Sequence, residues 1–568
     1  MENDLENIKN EKNFSLISKS KEEDKKYQLI SQFMLTSIII ILTVILGIVF
    51  NKKFENKKKL YLERSLKNLV YTGKIYSDSL YVKKVDNLNK DFIFGMDVSS
   101  VIAEENSGVK YFDFNDKETD LFEILDYVGI NYIRIRIWND PFDSKGNGYG
   151  GGNNDIEQAI RIGKRAAKYG MKILASFHYS DFYADYKNQQ VPKAWQNFTL
   201  EEKSKSAEKF TFKCIQKFIN EGIDVGIVAL GNEINDFFCG ETKWENIVKI
   251  LNGCSRAVRE LSPKTLISVH FTNPERKGSL MYFADQLNKN KLDYDAFSVS
   301  YYPVWNGNLD NLQSQLNDVA NTYNKKIFIA ETQYPYTRKN FDFYPDKTPG
   351  YNDVLYYPLT IQGQSSHIRN LVETVSKIKN NIGIFYWEGA WIAVGNNSYV
   401  ENREKWEKYG SGWASSYSSE YDPKIYQEGG CPTENQALFN SEGKPLESLK
   451  TFNLLKFGNE INTLYDAVED ISINPINFDY FSLPKSINII DTSGQRINKE
   501  IDWDEYFDID RAKSDNEYNF NGKADDVDLK CSFIFRIKYE RKFICYYFIG
   551  EKELSPWREN NLISIREL

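Results

Sequence analysis

The sequence places two carboxylates at the ends of apolar runs. Val225 to Leu230 is a continuous apolar stretch that breaks at Gly231 and delivers Asn232 and Glu233. Ile327 to Ala330 has the same form and ends on Glu331. Apolar runs of this kind mark parallel strands buried on both faces. In parallel α/β folds, ligands sit at the C-terminal ends of the strands. Two carboxyls so placed suit glycoside hydrolysis: one protonates the leaving oxygen and the other attacks the anomeric carbon. Asn232 can donate a hydrogen bond to the sugar 2-hydroxyl, an interaction that strengthens in the transition state.

The elements that must position this pair recur along the chain. Strand-like runs occur at Phe92–Met96, Tyr132–Ile137, Lys172–Phe177, Val225–Leu230, Thr265–Val269, Ala296–Ser300, Ile327–Ala330 and Gly383–Trp387. Helix-like segments such as Asp155–Tyr169 and Glu201–Asn220 separate them. Eight strands alternating with helices over roughly 300 residues predict an α/β protein of the (β/α)8 TIM-barrel type. An open doubly wound sheet is the alternative, but no GxGxxG or P-loop supports it. In a barrel, strands four and seven face each other across the mouth, which would bring Glu233 and Glu331 together.

Composition narrows the partners. The net charge is -8 and the pI about 5.4, which argues against nucleic acid and fits a neutral substrate. Aromatics make up 15% of residues, and their flat amphipathic faces suit sugar rings. The six cysteines (Cys214, Cys239, Cys254, Cys431, Cys531, Cys545) show no metal-ligand spacing. One or two disulfides are compatible with their number, with no pairing assigned. Only three histidines are present, with no HExxH, so neither a metal nor a cofactor is expected.

Several motifs resemble the endo-β-1,4-galactanases of glycoside hydrolase family 53. They include Gly95-Met96-Asp97-Val98-Ser99-Ser100, Asn131 to Pro141, Gly150-Gly151-Gly152-Asn153-Asn154-Asp155, and Phe177-His178-Tyr179-Ser180-Asp181. Pro192-Lys193-Ala194-Trp195, Gly231-Asn232-Glu233, Ser300-Tyr301-Tyr302-Pro303, Glu331-Thr332 and Phe385-Tyr386-Trp387-Glu388 continue the series. The resemblance runs from about Phe92 to Phe457, through Gly410 to Tyr417 and Asn435 to Phe439. It implies a (β/α)8 barrel and retaining hydrolysis of β-1,4-galactan or arabinogalactan, the side chains of pectin. It also implies Glu233 as acid/base and Glu331 as nucleophile. The alternatives are a retaining glycosidase acting on another β-1,4-glycan and a surface glycan-binding protein that has lost catalysis.

Other residues are expected to support the site. Arg134 and Arg136 share one face of their strand, and one should pair with the nucleophile carboxylate. Asp97 lies in the first motif. His178 follows strand three, and Tyr302, placed on strand six, should touch the nucleophile or the ring oxygen. Trp305, Trp387, Trp391 and Trp195 are candidate stacking platforms. The sequence also departs from the family pattern. The loop Tyr336 to Phe343 lacks the paired Asp and the His of the family calcium loop, so that calcium site is expected to be absent or altered. Trp387-Glu388-Gly389-Ala390-Trp391 has Gly389 where Pro is common, and Asn306 replaces a frequent His.

The ends of the chain differ from its middle. Residues 1–30 are charged and polar, and read as a cytoplasmic tail. Phe33 to Phe50 carries no charge, and about 27 Å of helix matches a bilayer core. Asn51-Lys52-Lys53-Phe54 offers no cleavage site, so residues 31–51 read as an uncleaved transmembrane signal anchor, and residues 52–90 as a stalk. Basic residues are denser after the span, which by the positive-inside rule alone puts the large domain in the cytoplasm. A polysaccharide substrate instead places the catalytic domain, residues 91–460, outside the cell, or secreted if the anchor is removed. Short turn-punctuated runs then predict a small all-β sandwich over 465–540. From Leu483 to Trp503 this region resembles bacterial immunoglobulin-like modules, and residues 541–568 read as a C-terminal tail. The protein is expected to be a monomer.

Overall fold

The computed structural model describes residues 74–554, apart from 351–352, 396–397, 424–428, 462–464, 469–484, 504–515, 525–526, 536–545 and 550–551. Eight strands close into a parallel barrel in chain order. They are β1 (Ile93–Asp97), β2 (Tyr132–Ile137), β3 (Lys172–Phe177), β4 (Val225–Leu230), β5 (Leu266–Phe271), β6 (Ala296–Ser300), β7 (Lys326–Glu331) and β8 (Asn381–Tyr386). β8 pairs back onto β1, with Ile93 opposite Gly383.

Alternation within each strand builds two apolar layers. On β2, Ile133, Ile135 and Ile137 join the outer core beneath the helices. Tyr132 packs against the barrel interior, which Ile93, Leu174, Ile227, Ala229, Ala296, Phe328, Ala330 and Phe385 fill. Burying each of the larger apolar side chains contributes about 1.5–3 kcal/mol. The same alternation turns Arg134 and Arg136 inward, above Tyr132.

The helices follow the expected segments, with their ends set by local capping. Asp155 caps Ile156–Lys168 through the Gln158 amide. Thr199 and Glu202 form a reciprocal capping box at the start of Leu200–Asn220. Four strand boundaries differ from the sequence reading. β5 runs on to Phe271 and so includes His270, while β8 starts at Asn381 and stops at Tyr386. β1 and β7 each extend to the acidic residue that follows the apolar run, Asp97 and Glu331.

The stalk boundary needs correction. Ile75, Leu80, Val82 and Val85 are buried in the main core. Val82 exchanges backbone hydrogen bonds with Asn459, and the Val85 amide donates to Leu455 O. Residues 74–90 therefore belong to the barrel domain, because their few apolar side chains cover the helix Thr451–Phe457 and the turn after it.

Beyond the barrel, β9 (Tyr465–Val468), β10 (Ser486–Asp491) and β11 (Arg496–Glu500) form one antiparallel sheet. β12 (Asp502–Trp503), β13 (Asn516–Ala524), β14 (Val527–Phe535), β15 (Tyr546–Ile549) and β16 (Lys552–Leu554) form another. The expected tail thus supplies two strands to this second sheet. Both sheets follow chain order, whereas an immunoglobulin-like sandwich joins its sheets by Greek-key connections. The region is all-β, but its strand order among the described residues does not carry the finer assignment.

No described helix is long and apolar enough to cross a membrane. The anchor expected at Phe33–Phe50 lies outside the described residues. Cys214, Cys239, Cys254 and Cys431 are free and buried, so no disulfide joins these four.

Candidate active site

The turn after β4 is built around Gly231. Its φ is 89°, and a Cβ there would lie 2.4 Å from Ile234 Cγ2. Glu233 itself adopts φ of 49°, a left-handed conformation uncommon outside glycine. The Ile234 amide donates to His270 O on β5 (3.0 Å). This turn aims Asn232 and Glu233 into one cleft of about 560 Å³, which Glu331 also lines.

Glu331 reaches that cleft through a register slip. Phe328 and Ala330 point into the barrel, so strict alternation would turn Glu331 outward. The β6–β7 pairing shifts between Val299 and Ser300, which sets Ser300 opposite Glu331. Such a shift re-aims a side chain.

Arg134 fixes Glu331. Its Nη2 donates to Glu331 Oε1 (2.6 Å) and Asn232 Oδ1 (2.8 Å), and its Nη1 donates to Asp97 Oδ2 (2.6 Å). The Tyr302 hydroxyl donates to Glu331 Oε2 (2.9 Å). Tyr302 lies two residues beyond β6, not on the strand. Burial and the charges of Glu331 and Glu233 hold its phenol well above its usual pKa, so it stays a donor. Both oxygens of Glu331 thus accept hydrogen bonds, one from a guanidinium and one from a phenol.

Glu233 is held differently. Burial first, then the negative charges of Glu331 and Asp185, push its carboxyl up to about 8. The two carboxyls therefore divide the work: Glu233 keeps a proton at neutral pH, while Glu331 accepts from a cation and a phenol. Such a split assigns acid and base roles within a pair.

Asn232 is oriented from both sides. Its Oδ1 accepts from Arg134 and from His270 Nδ1 (3.0 Å), and its Nδ2 donates to Ala184 O (2.9 Å). Burial keeps His270 neutral; with Nδ1 donating, its Nε2 accepts from Ser300 Oγ (2.9 Å). One N–H of Asn232 remains for a ligand. His178 has a fixed tautomer too. Its Nδ1 accepts from Trp138 Nε1 (3.2 Å) and the Ala184 amide (3.1 Å). The proton of the neutral ring is therefore on Nε2, which is buried without a partner and belongs to a residue lining the cleft.

Arg136 does not reach Glu331. It pairs with Glu388 (2.5 Å) and Asp97 (3.3 Å). Trp305 lines the cleft and is 47% exposed, and Trp387 lines it with 8% exposure. Two expected platforms fail. Trp391 is 0% exposed and bonds Ser411 O, so it supports Trp387 from behind. Trp195 packs against Phe210 of Leu200–Asn220, outside the cleft lining.

Residues 93–452 match the family described as glycosyl hydrolase family 53. An endo-β-1,4-galactanase of Bacillus subtilis (strain 168) is 50% identical over 392 residues, covering 68% of this chain and 91% of its own. An arabinogalactan endo-β-1,4-galactanase of Thermothelomyces thermophilus is 33% identical over 317 residues, covering 53% and 90%. The solved catalytic domain of an Ignisphaera aggregans family-53 protein superposes with a TM-score of 0.59 at 32% identity, covering 66% of this chain and 99% of that one. The chain belongs to glycosyl hydrolase family 53. It is a glycoside hydrolase.

Several residues that line or support the cleft of this glycosidase escaped the sequence reading. His270 sits where the strand was taken to have ended. Gln333, Lys347 and Trp413 come from loops after β7 and β8, whose paths no periodicity reveals. In the loop after β7, Asp342 accepts from the amides of Tyr344 (2.8 Å) and Cys431 (2.9 Å). Burial raises Asp342, Asp346 and Glu434, and Glu434 is raised further by the other two. Among the described residues no group of three or more acidic, His or Cys side chains is placed to hold a metal ion.

Proposed function

We propose that this family-53 glycosidase cleaves internal β-1,4-galactosidic bonds of galactan and arabinogalactan, the side chains of pectin, with retention of configuration. The carrying observation is the asymmetry of the pair, with Glu233 raised to about 8 and Glu331 held by Arg134 and Tyr302. Glu233 protonates the glycosidic oxygen as Glu331 Oε2 or Oε1 attacks the anomeric carbon. A covalent galactosyl ester forms and the leaving chain departs as an alcohol. Glu233, now ionised, takes a proton from water, which attacks the same carbon and frees Glu331. No cofactor enters these steps. The remaining N–H of Asn232 donates to the 2-hydroxyl. Trp305 and Trp387 offer aromatic faces to the sugar rings.

The galactanase names of the relatives support the choice of substrate. The protein acts outside the cell as a monomer, tethered by residues 31–51, with the C-terminal sheets as a spacer. Reducing-sugar release from β-1,4-galactan, with β-mannan and β-glucan alongside, tests the substrate. Release from mannan or glucan but not galactan would reject it. Nuclear magnetic resonance of the first-formed anomer tests retention.

A further inference from the structure

Lys347 stands in the cleft without a role in the steps above. It is carried by the loop after β7 and is open to the cleft. The loop is pinned on both sides of it. The Lys347 amide donates to Pro432 O (2.8 Å), and Asn435 Nδ2 donates to Thr348 O (2.7 Å). The ammonium sits 3.3 Å from the centre of the Trp413 ring. The same indole stacks on Tyr183 at 4.2 Å and 8° and packs against Trp391 and Trp387. Lys347 makes no ion pair among the described residues, although Asp185, Glu233 and Glu331 line the same cleft.

This arrangement fixes a donor and leaves it unused. An ammonium over an indole face is attracted by the ring quadrupole, so the side chain is aimed before a ligand arrives, which lowers the ordering cost on binding. With Lys347 on it, this part of Trp413 offers substrate a charge instead of a flat apolar face. Gln333 lines the same cleft, and its Nε2 is buried with no hydrogen-bond partner among the described residues. A buried donor without a partner is destabilising, and a ligand oxygen removes that cost.

We infer that Lys347 is a further substrate-binding residue, its ammonium donating, together with the Gln333 amide, to hydroxyls of a neutral galactosyl unit in the cleft. The inference rests on the galactanase reading. Lys347 contributes to binding the chain. The loop that carries it is also the one that departs from the family pattern, so this contact adjusts which stretch of glycan is gripped.

Steady-state kinetics of the full chain on soluble galactan test it, with Lys347→Met, Lys347→Arg and Gln333→Leu. Methionine keeps an apolar stem over Trp413 and removes the charge. Lys347→Met should raise KM about tenfold, leave kcat within about twofold, and leave the pH profile of kcat unshifted; Lys347→Arg should recover part of the loss. In a Glu331→Gln background, calorimetric affinity for galactotetraose should fall by the same factor on adding Lys347→Met. An unchanged KM and affinity would overturn the inference. So would a lowered kcat with a shifted alkaline limb, which would make Lys347 a modulator of Glu233. Absence of galactan hydrolysis by the wild type would instead overturn the parent reading.

Discussion

Arg134 Nη2 lies 2.6 Å from Glu331 Oε1 while Nη1 of the same guanidinium lies 2.6 Å from Asp97 Oδ2. One fully buried cation thus ties a residue on β2 to the ends of β7 and β1. Lysine cannot reproduce this fork. Arg134→Lys should lower kcat about 10²-fold, and Arg134→Met, which removes the cation from buried Glu331 and leaves Asp97 with Arg136 alone, should also destabilise by about 3–5 kcal/mol. Steady-state kinetics and denaturant unfolding check both.

The pH dependence follows from Glu233. Its carboxyl is raised from 4.5 to about 8, so the acid is loaded below that value and lost above it. The alkaline limb of kcat/KM should fall through about 8. The same shift makes a stability statement: the neutral carboxyl favours the fold below 4.5, and this contribution disappears as pH rises to about 8. Glu233→Gln should therefore unfold at a higher temperature than wild type at pH 9 and nearly the same temperature at pH 4. Thermal scans at both pH values decide it.

Azide separates the roles of the two glutamates. Glu233→Ala should lose about 10²–10⁴-fold in rate on galactan, and azide should restore turnover of an activated aryl galactoside to give the β-azide. Glu331→Ala with azide should give the α-azide. Product configuration is read by nuclear magnetic resonance, and exchanged outcomes would exchange the roles.

The segment before β1 is structural. A fragment beginning at Asp91 lacks Ile75, Leu80, Val82 and Val85, each buried in the core. At about 1.5–3 kcal/mol for a buried side chain of this size, it should unfold well below a fragment beginning at Lys74. Calorimetry on the two fragments tests this.

The departure of the loop after β7 from the family calcium pattern predicts independence from calcium. EDTA should leave both the unfolding temperature and the activity unchanged. A drop restored by calcium would show that Asp342, Asp346 and Glu434 bind the ion after all.

The amino-acid sequence by itself determined the barrel and its two glutamates. Apolar runs of strand length can only be buried on both faces, and the polar residue that ends each run must then sit at the rim. Alternation also put Arg134 and Arg136 on one inner face without any knowledge of the fold. Tertiary structure decided the rest. Which arginine meets Glu331, the slip between Val299 and Ser300 that turns Glu331 inward, and the tautomers of His178 and His270 all depend on contacts between residues far apart in the chain. Trp391 and Trp387 look alike in sequence, yet one is sealed behind the other. Lys347 and Gln333 reach the cleft from a loop without periodicity, and only the packing of that loop against Pro432 and Asn435 places them there.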